Sequence, residues 1–324
     1  MAEVKALIVK TSSMGDVIHA LPVLTDIKRA LPEAEIHWLV ESAFADLPRS
    51  NPLVDKVICC SVRQWRKSIF SQGTRQAIRA LSTELKDEHY DLVVDLQGLI
   101  KSAILGKLAK APFCGYDKHS IKEPLASFFY DRKASVSRSL PAIERNRRLV
   151  AFAFHFPFVD TVPDFGFSVV PPEEREDYLV CFANTSRDTK LWPQSYWVEL
   201  CKQLNGFSRV IFPWGNSKEK ERVEGFSREI GARAFVPEKM TIGQLIPVIQ
   251  KARAVVGLDT GMTHLSAALG TPTVGIFRDY PVELVPLSGY GPKVSLGGVG
   301  ACPSVEEVKD AVKKVLNVHS ETPL

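Results

Sequence analysis

Three short stretches of this 324-residue sequence bring acids, hydroxyls and cations close enough together to do chemistry, and each follows an apolar run. The first is TSSMGD, residues 11–16, after ALIV. A carboxylate at a helix start repels the phosphate that such a terminus otherwise attracts, so Asp16 does not suit a phosphate loop. It suits a general base. Asp16 can take a proton from a hydroxyl that attacks an activated carbon, while Gly15 allows close backbone approach and Ser12 and Ser13 bond the carboxylate or the substrate. The rival reading makes Asp16 a helix N-cap. The second stretch is GLDTGMTHLSAALG, where Asp259, Thr260 and Gly261 lead from strand to helix. Backbone N–H groups there suit a diphosphate, with the hydroxyls of Thr260 and Thr263 as further donors and His264 one turn on. Its rival is plain helix capping by Asp259 and Thr260. A D-T-G triplet also occurs in aspartic proteases, but those need two copies in an all-β setting.

The third stretch, ANTSRDTKLWPQSYW at 183–197, packs Thr185, Ser186, Arg187 and Lys190 into six residues. Hydroxyls and cations at that density fit phosphate oxygens, against a solvated polar turn between Asp188 and Pro193. A further loop, PWGNSKEKER, offers Glu219 to ribose or sugar hydroxyls, against an ordinary charged helix start. Neither a dinucleotide fingerprint nor a Walker motif occurs. The ligand that fits is a nucleoside diphosphate held by the second half.

The elements around these stretches alternate between strand and helix. VKALIVK and EIHWLVE read as strands, VIHALPVLTDIKRAL as one helix between them, then TRQAIRALSTELK as helix, YDLVVDLQG as strand and IKSAILGKLAKA as helix. This is a doubly wound α/β domain over residues 1–160. Residues 161–177 bring prolines and mixed charge and read as a linker. From 178 to 324 the alternation restarts and predicts a second Rossmann-like domain. Its last helix, SVEEVKDAVKKVLNV, opens with a Ser304/Glu307 capping box and packs on either domain. Ligands bind outside the carboxyl ends of strands in such sheets, so Asp16 and the diphosphate loops are expected to meet across a cleft.

Composition bounds the rest. The chain exceeds the roughly 250–300 residues of a single core. With 45% hydrophobic and 24% charged residues it is globular, and its longest apolar run is too short to cross a bilayer. Six scattered cysteines form no C-x-x-C pair and no zinc-spaced cluster, so neither a disulfide framework nor a metal site is expected. The net charge of +4 sits in the first half, where Lys56, Arg63, Arg66, Lys67, Arg75 and Arg79 follow one another without a carboxylate. That run reads as an anion-facing patch, and no nucleic-acid-binding signature accompanies it.

Six motifs in order, LIVKTSSMGDVIHALP, DLQGLIKSA, KEPLASFFY, SRDTKLWP, PWG and LDTGMTHLSAAL, make the chain similar to the ADP-heptose:lipopolysaccharide heptosyltransferases over nearly its whole length. The resemblance implies an inverting, metal-independent glycosyltransferase of two-domain glycosyltransferase-B architecture that needs no cofactor. It implies transfer of the first heptose from ADP-heptose to Kdo-lipid A by a monomer at the cytoplasmic face of the inner membrane, with no nucleic-acid partner. Transfer one sugar later, a nucleotide-sugar epimerase and a non-catalytic nucleotide-sugar binder are the alternatives. By resemblance Asp16 is the base and Lys190 meets the donor phosphates. Ser13, Thr185, Ser186, Glu219, Met240, Asp259, Thr260, Gly261 and His264 match donor positions. Met240 would contact adenine; without the resemblance it is an ordinary core methionine. Arg63, Arg66, Lys67, Lys122 and Arg145 match acceptor positions, with Lys122 standing where arginine is usual. FRDYPVEL departs from the family's Gly-Pro-Thr-Asp-Pro run.

Overall fold

The computed structural model describes residues 4–68 and 70–317, which fall into two compact units, Met1–Thr161 and Val162–Leu324. In the first, six parallel strands are β1 (Lys5–Val9), β2 (Glu35–Glu41), β3 (Lys56–Cys60), β4 (Leu92–Asp95), β5 (Phe113–Tyr116) and β6 (Arg132–Ala134). Their order across the sheet is β3-β2-β1-β4-β5-β6. Helices connect them: α1 (Met14–Ile18), α2 (Pro22–Ala30), α3 (Asp46–Arg49), α4 (Val62–Trp65), α5 (Gln72–Asp87), α6 (Ile100–Lys107) and α7 (Ala142–Phe154). The central strands are covered on both faces, which is why Leu7, Ile8, Val93 and Val94 are fully buried and read as unbroken apolar runs.

The single helix expected over VIHALPVLTDIKRAL is two. Pro22 has no N–H to continue the ladder and instead opens α2 at its first position, leaving α1 a single short turn that ends at Ile18. That break gives the loop carrying Asp16 its own helix.

Helix α7 packs on α2. Arg147 reaches across to Asp26 through two bonds, Nε to Oδ2 at 2.7 Å and Nη2 to Oδ1 at 3.0 Å, and also donates to the carbonyls of Val159 and Thr161. Both side chains are nearly buried, at 5% and 13% exposure. Truncation of one partner strands the other charge, so Arg147→Ala should cost about 3–5 kcal/mol of stability. Urea denaturation followed by circular dichroism checks this.

At the amino ends of the same strands, Lys5, Glu35, His37, Lys56, Glu88 and Tyr90 form an ion-pair cluster. Lys56 therefore does not belong to the anion-facing run: Glu84 and Glu88 neutralise it at 3.1 and 2.6 Å, carboxylates distant in sequence but adjacent in space. Hydrogen bonds from Lys5 and Lys56 hold the Glu88 carboxyl down at about 2. Glu35, His37 and Glu88 have donor atoms close enough for a metal. The lysines and the Tyr90 hydroxyl already engage those atoms.

The second unit repeats the design with β7 (Glu176–Phe182), β8 (Arg209–Ile211), β9 (Ala234–Phe235), β10 (Ala252–Leu258), β11 (Thr273–Phe277) and β12 (Lys293–Gly297), ordered β12-β11-β10-β7-β8-β9. Its helices are α8 (Gln194–Gln203), α9 (Ser217–Ile230), α10 (Ile242–Lys251), α11 (Gly261–Ala268) and α12 (Val305–Asn317). Counted within each unit, the strand order is the same. A core of Trp197, Phe212, Phe226 and Val312 lies under one face. Helix α12 packs on α8 and on β10, β11 and β12 of its own unit, and its Ser304/Glu307 capping box is formed. Val318, the last residue of the expected helix, lies outside the described residues.

Of the stretch expected as a linker, Thr161 belongs to the first unit and the rest, from Val162, to the second. Phe165 is buried, Gln250 donates to the Ser168 carbonyl, and Arg175 donates to the carbonyls of Val170 and Gly270. The stretch forms little regular structure beyond a 3-10 turn at Pro172–Glu174, yet Phe165 still finds a surface. Strand β7 begins two residues before the expected boundary.

Candidate functional site

In each sheet the first and fourth strands of the unit are neighbours, and the chain leaves them in opposite directions. This opens a crevice at their carboxyl ends. In the first unit those ends belong to β1 and β4, and a cavity of about 190 Å³ sits there. Asp16, Lys122 and Arg145 line it, together with Lys10, His19, Gln97 and Asn146.

Asp16 is the third residue of α1 and not its N-cap. Its Oδ2 accepts from the N–H of Ser13 at 2.8 Å and the hydroxyl of Ser13 at 2.7 Å. The carboxylate is otherwise exposed to the cavity. Partial desolvation works against its charge, but Lys10, the two Ser13 bonds and His19 outweigh that and hold the carboxyl below the usual aspartate value. An anion results that is ionised at neutral pH and fixed in one orientation. Lys10, just past β1, is buried with its ammonium on the Leu96 carbonyl at 2.9 Å. Burial pulls it below the usual lysine value. Sequence reasoning passed over Lys10, although a lysine closing a buried strand six residues before an acid was the available signal.

The loop ahead of Asp16 is held from β4. Asp95, fully buried, accepts from the Tyr130 and Ser102 hydroxyls at 2.7 and 2.8 Å and from the N–H groups of Gln97 and Gly98. Burial raises its carboxyl above the usual value despite these bonds. Gly98 turns the chain at φ +67°, where a side chain would be strained. Gln97 is thereby aimed at the N–H groups of Thr11 and Ser12, 3.0 and 3.1 Å away. Gln97→Leu keeps the volume and removes that acceptor. We expect kcat to fall about tenfold or more because the base is misplaced, and stability to fall by about 1–3 kcal/mol because the N–H groups of buried Thr11 and Ser12 lose their acceptor. Steady-state kinetics beside a melting curve separates the two.

Arg145 extends from the start of α7, with its guanidinium 4.9 Å from the Tyr116 ring and one amino group on the Ser120 carbonyl; its buried Nε has no partner among the described residues. Lys122 is exposed at the cavity rim. Four basic side chains thus surround one carboxylate. Arg63, Arg66 and Lys67 are not among the cavity's lining. They are exposed on and just after α4, where the Arg63 N–H meets the buried Glu41 carboxylate at 3.2 Å and its guanidinium lies over Phe44.

In the second unit the switch lies between β7 and β10, and the two loops expected to hold a diphosphate follow those strands. Lys190 bonds Asp259 Oδ2 at 2.5 Å, and His264 meets the other oxygen at 3.4 Å. Asp259 is desolvated, yet His264 and Lys190 hold its carboxyl below the usual value. Asp259 therefore does not cap α11; it orients Lys190. Thr260 is the N-cap residue, but its side chain makes no capping bond and faces the Thr263 hydroxyl at 3.3 Å. The start of α11 thus has no side-chain cap from Thr260.

Trp192 fixes the segment bearing Lys190: it is buried, donates to the Pro303 carbonyl at 2.7 Å and stands edge-on to Trp197. Arg278 donates to the Leu191 carbonyl, and the Thr189 hydroxyl donates to Asp279 at 2.9 Å. Asp279 also pairs with Lys190 at 3.6 Å and Arg187 at 3.7 Å. It comes from FRDYPVEL, which runs on directly from the last residue of β11, and sequence reasoning did not select it. Thr185 and Ser186 lie in the same loop, Thr185 half-buried and Ser186 exposed.

Glu219 closes its own loop, accepting from the Gly215 N–H at 2.7 Å and the Asn216 side chain at 2.8 Å. Trp214 ties that loop to the Pro237 carbonyl, three residues before half-buried Met240. The structure thus gathers Lys190, Asp259 and His264 by direct bonds, and sets Glu219 and Met240 beyond the adjacent strands β8 and β9.

Residues 78–313 match the model of glycosyltransferase family 9 (heptosyltransferase). Lipopolysaccharide heptosyltransferase 1 of Pseudomonas aeruginosa is 40% identical over 279 residues, 84% of this chain and 78% of the relative. The protein of that name from Escherichia coli K12 is 38% identical over 89% of this chain and 91% of the relative, whereas heptosyltransferase 2 of the same strain is 22% identical. The solved structure of E. coli heptosyltransferase WaaC with ADP superposes with a TM-score of 0.88 at 35% identity, covering 96% of this chain and 99% of that one. Heptosyltransferase II of E. coli shares the fold at a TM-score of 0.77 and 19% identity. Two Rossmann-like sheets with charged loops at both switch points, matched along nearly the whole chain, place this protein in glycosyltransferase family 9, the heptosyltransferases.

Proposed function

We propose that this heptosyltransferase moves the first L-glycero-D-manno-heptose from ADP-heptose to a Kdo hydroxyl of Kdo-lipid A, with inversion, as a step of lipopolysaccharide inner-core assembly at the cytoplasmic face of the inner membrane. The observation that carries the reading is one ionised carboxylate, Asp16, in a cavity whose lining also includes Lys10, His19, Lys122 and Arg145. The Lys122 ammonium and the Arg145 guanidinium suit an acceptor sugar that is itself an acid, and the carboxylate suits its hydroxyl proton. Arg63, Arg66 and Lys67 serve the phosphates and carboxylates farther along the acceptor.

The donor belongs to the second unit. Lys190, oriented by Asp259, and the first turn of α11 from Thr260 and Gly261 receive the diphosphate, with Thr185, Ser186 and His264 around it. Trp214, Met240 and Glu219 take the adenosine end. Asp16 accepts the hydroxyl proton as the oxygen forms its bond to the anomeric carbon. The bond from that carbon to the diphosphate breaks, and ADP carries the electron pair away against Lys190.

The test is incubation of the purified protein with ADP-heptose and Kdo-lipid A, followed by mass spectrometry. One added heptose is expected, and none on an acceptor that already carries one. Sugar conversion without acceptor would indicate an epimerase. Donor binding without product would indicate a sugar-nucleotide carrier, and transfer only to the heptosylated acceptor would indicate the next enzyme in the sequence.

A further inference from the structure

Three large apolar side chains stand in the open on one part of the first unit. After Lys122, at the rim of the cavity, a short 3-10 helix spans Pro124–Phe129 and packs on α6. Such a helix has three residues per turn, so Leu125 and Phe128 share a face. They are 62% and 77% exposed, while Ala126 and Ser127 between them are buried. On α6, Ala103, Leu105 and Gly106 are buried, yet Ile104 is 48% exposed between Lys101 and Lys107. Ile104 is thus an apolar side chain on the open, lysine-bearing side of α6.

Charge points to what covers the patch. Residues 100–122 hold five lysines and a single carboxylate, Asp117, which is occupied by the N–H groups of His119 and Ser120; of the five lysines, Lys107 also pairs with Asp131 at 3.3 Å. Lysines around an open apolar surface fit an anionic lipid leaflet, with the apolar side chains entering the acyl boundary and the ammonium groups among the headgroups. The patch is also continuous with the cavity. Glu123, between Lys122 and Pro124, binds the Ile100 N–H at 2.8 Å and fixes the 3-10 helix to the start of α6, and Leu99 lines the cavity.

We infer that Leu125, Phe128 and Ile104, rimmed by lysines, are the face by which the enzyme seats on an anionic membrane, so that a lipid-borne acceptor presents its sugar to the Asp16 cavity without leaving the leaflet. The inference rests on the proposed acceptor being lipid-borne. Its test is sedimentation of the full-length protein with vesicles of phosphatidylethanolamine and phosphatidylglycerol, compared with phosphatidylcholine alone. Wild type should partition to the anionic vesicles in a salt-sensitive way, and the double variant L125S/F128S about tenfold less or weaker still. The same variant should melt like wild type. It should turn over a deacylated, water-soluble acceptor at the wild-type rate while its KM rises for acceptor embedded in vesicles. Equal partition of variant and wild type, or no binding by wild type, overturns the inference. So does a wild-type dimer on gel filtration that the variant abolishes, since the patch would then cover a second copy. Absence of heptose transfer to the soluble acceptor by both proteins would overturn the proposed reaction instead, and the vesicle result would still judge the patch.

Discussion

Asp16→Asn should lower kcat about a hundredfold to ten-thousandfold while leaving the affinity for ADP-heptose nearly unchanged. The substitution keeps an oxygen for the Ser13 N–H and hydroxyl, so α1 keeps its first turn and the loop its shape, but the group can no longer take a proton. Direction of the pH profile sharpens the expectation. Lys10, Ser13 and His19 hold the wild-type carboxyl below its ordinary value, so the base is ionised above that point and is lost only as pH falls through it. The acid limb of kcat should therefore lie below about pH 4, the usual aspartate range, and vanish in the variant. Rapid-quench assays across pH measure both. A variant turning over at the wild-type rate, or an acid limb near pH 6 in wild type, would remove Asp16 from its role.

The second large effect concerns the leaving group. Lys190→Met, which keeps the aliphatic stem, should reduce kcat/KM for ADP-heptose about 10²–10³-fold, because a charge-assisted donor to the departing diphosphate is lost where charge develops. Calorimetric titration with ADP should show weaker binding as well. The variant also exposes a stability cost. Asp259 is 10% exposed, and His264 and Lys190 hold its carboxyl below its ordinary value, so their pairing stabilises the fold above that value and ceases to as pH falls through the lowered one. In Lys190→Met that advantage shrinks at neutral pH, and the difference in melting temperature between the proteins should narrow on acidification. A variant with full kcat/KM would reassign the phosphate contact to Arg187 or to the helix start alone.

Much of the architecture was legible because both units are built of parallel strands buried on two faces, whose apolar runs stand out between amphipathic helices. β1, β2, β4, β7, β10 and β11 are of that kind. The edge strands β3, β6, β9 and β12 are short or only partly covered, and Lys56, Arg132 and Lys293 inside them hide the pattern. Pro22 was legible as a residue but not as a break, since the apolar spacing runs on across it. Of the functional candidates, those at switch points were legible because they follow strands directly. What sequence spacing could not convey is which partner each charge would find. Asp259 also read as a cap in sequence; its bond from Lys190, 69 residues away, is visible only in the fold. Lys10 and Asp279 gain their place only through residues distant in the chain: Leu96 for one, Thr189 and Lys190 for the other.

Both sheets share one strand order, and each has a single point where the chain reverses its direction of travel. Each half consequently possesses one crevice of its own, written in its own stretch of sequence. On the proposed assignment, most substitutions that retune the acceptor fall in the loops after β1 to β5, and most that retune the nucleotide fall after β7 to β11, with Ser13 the donor-matched exception in the first unit. A chain organised this way can exchange acceptors over evolutionary time while keeping its sugar nucleotide, and an engineer can attempt the same by grafting loops within the first 161 residues.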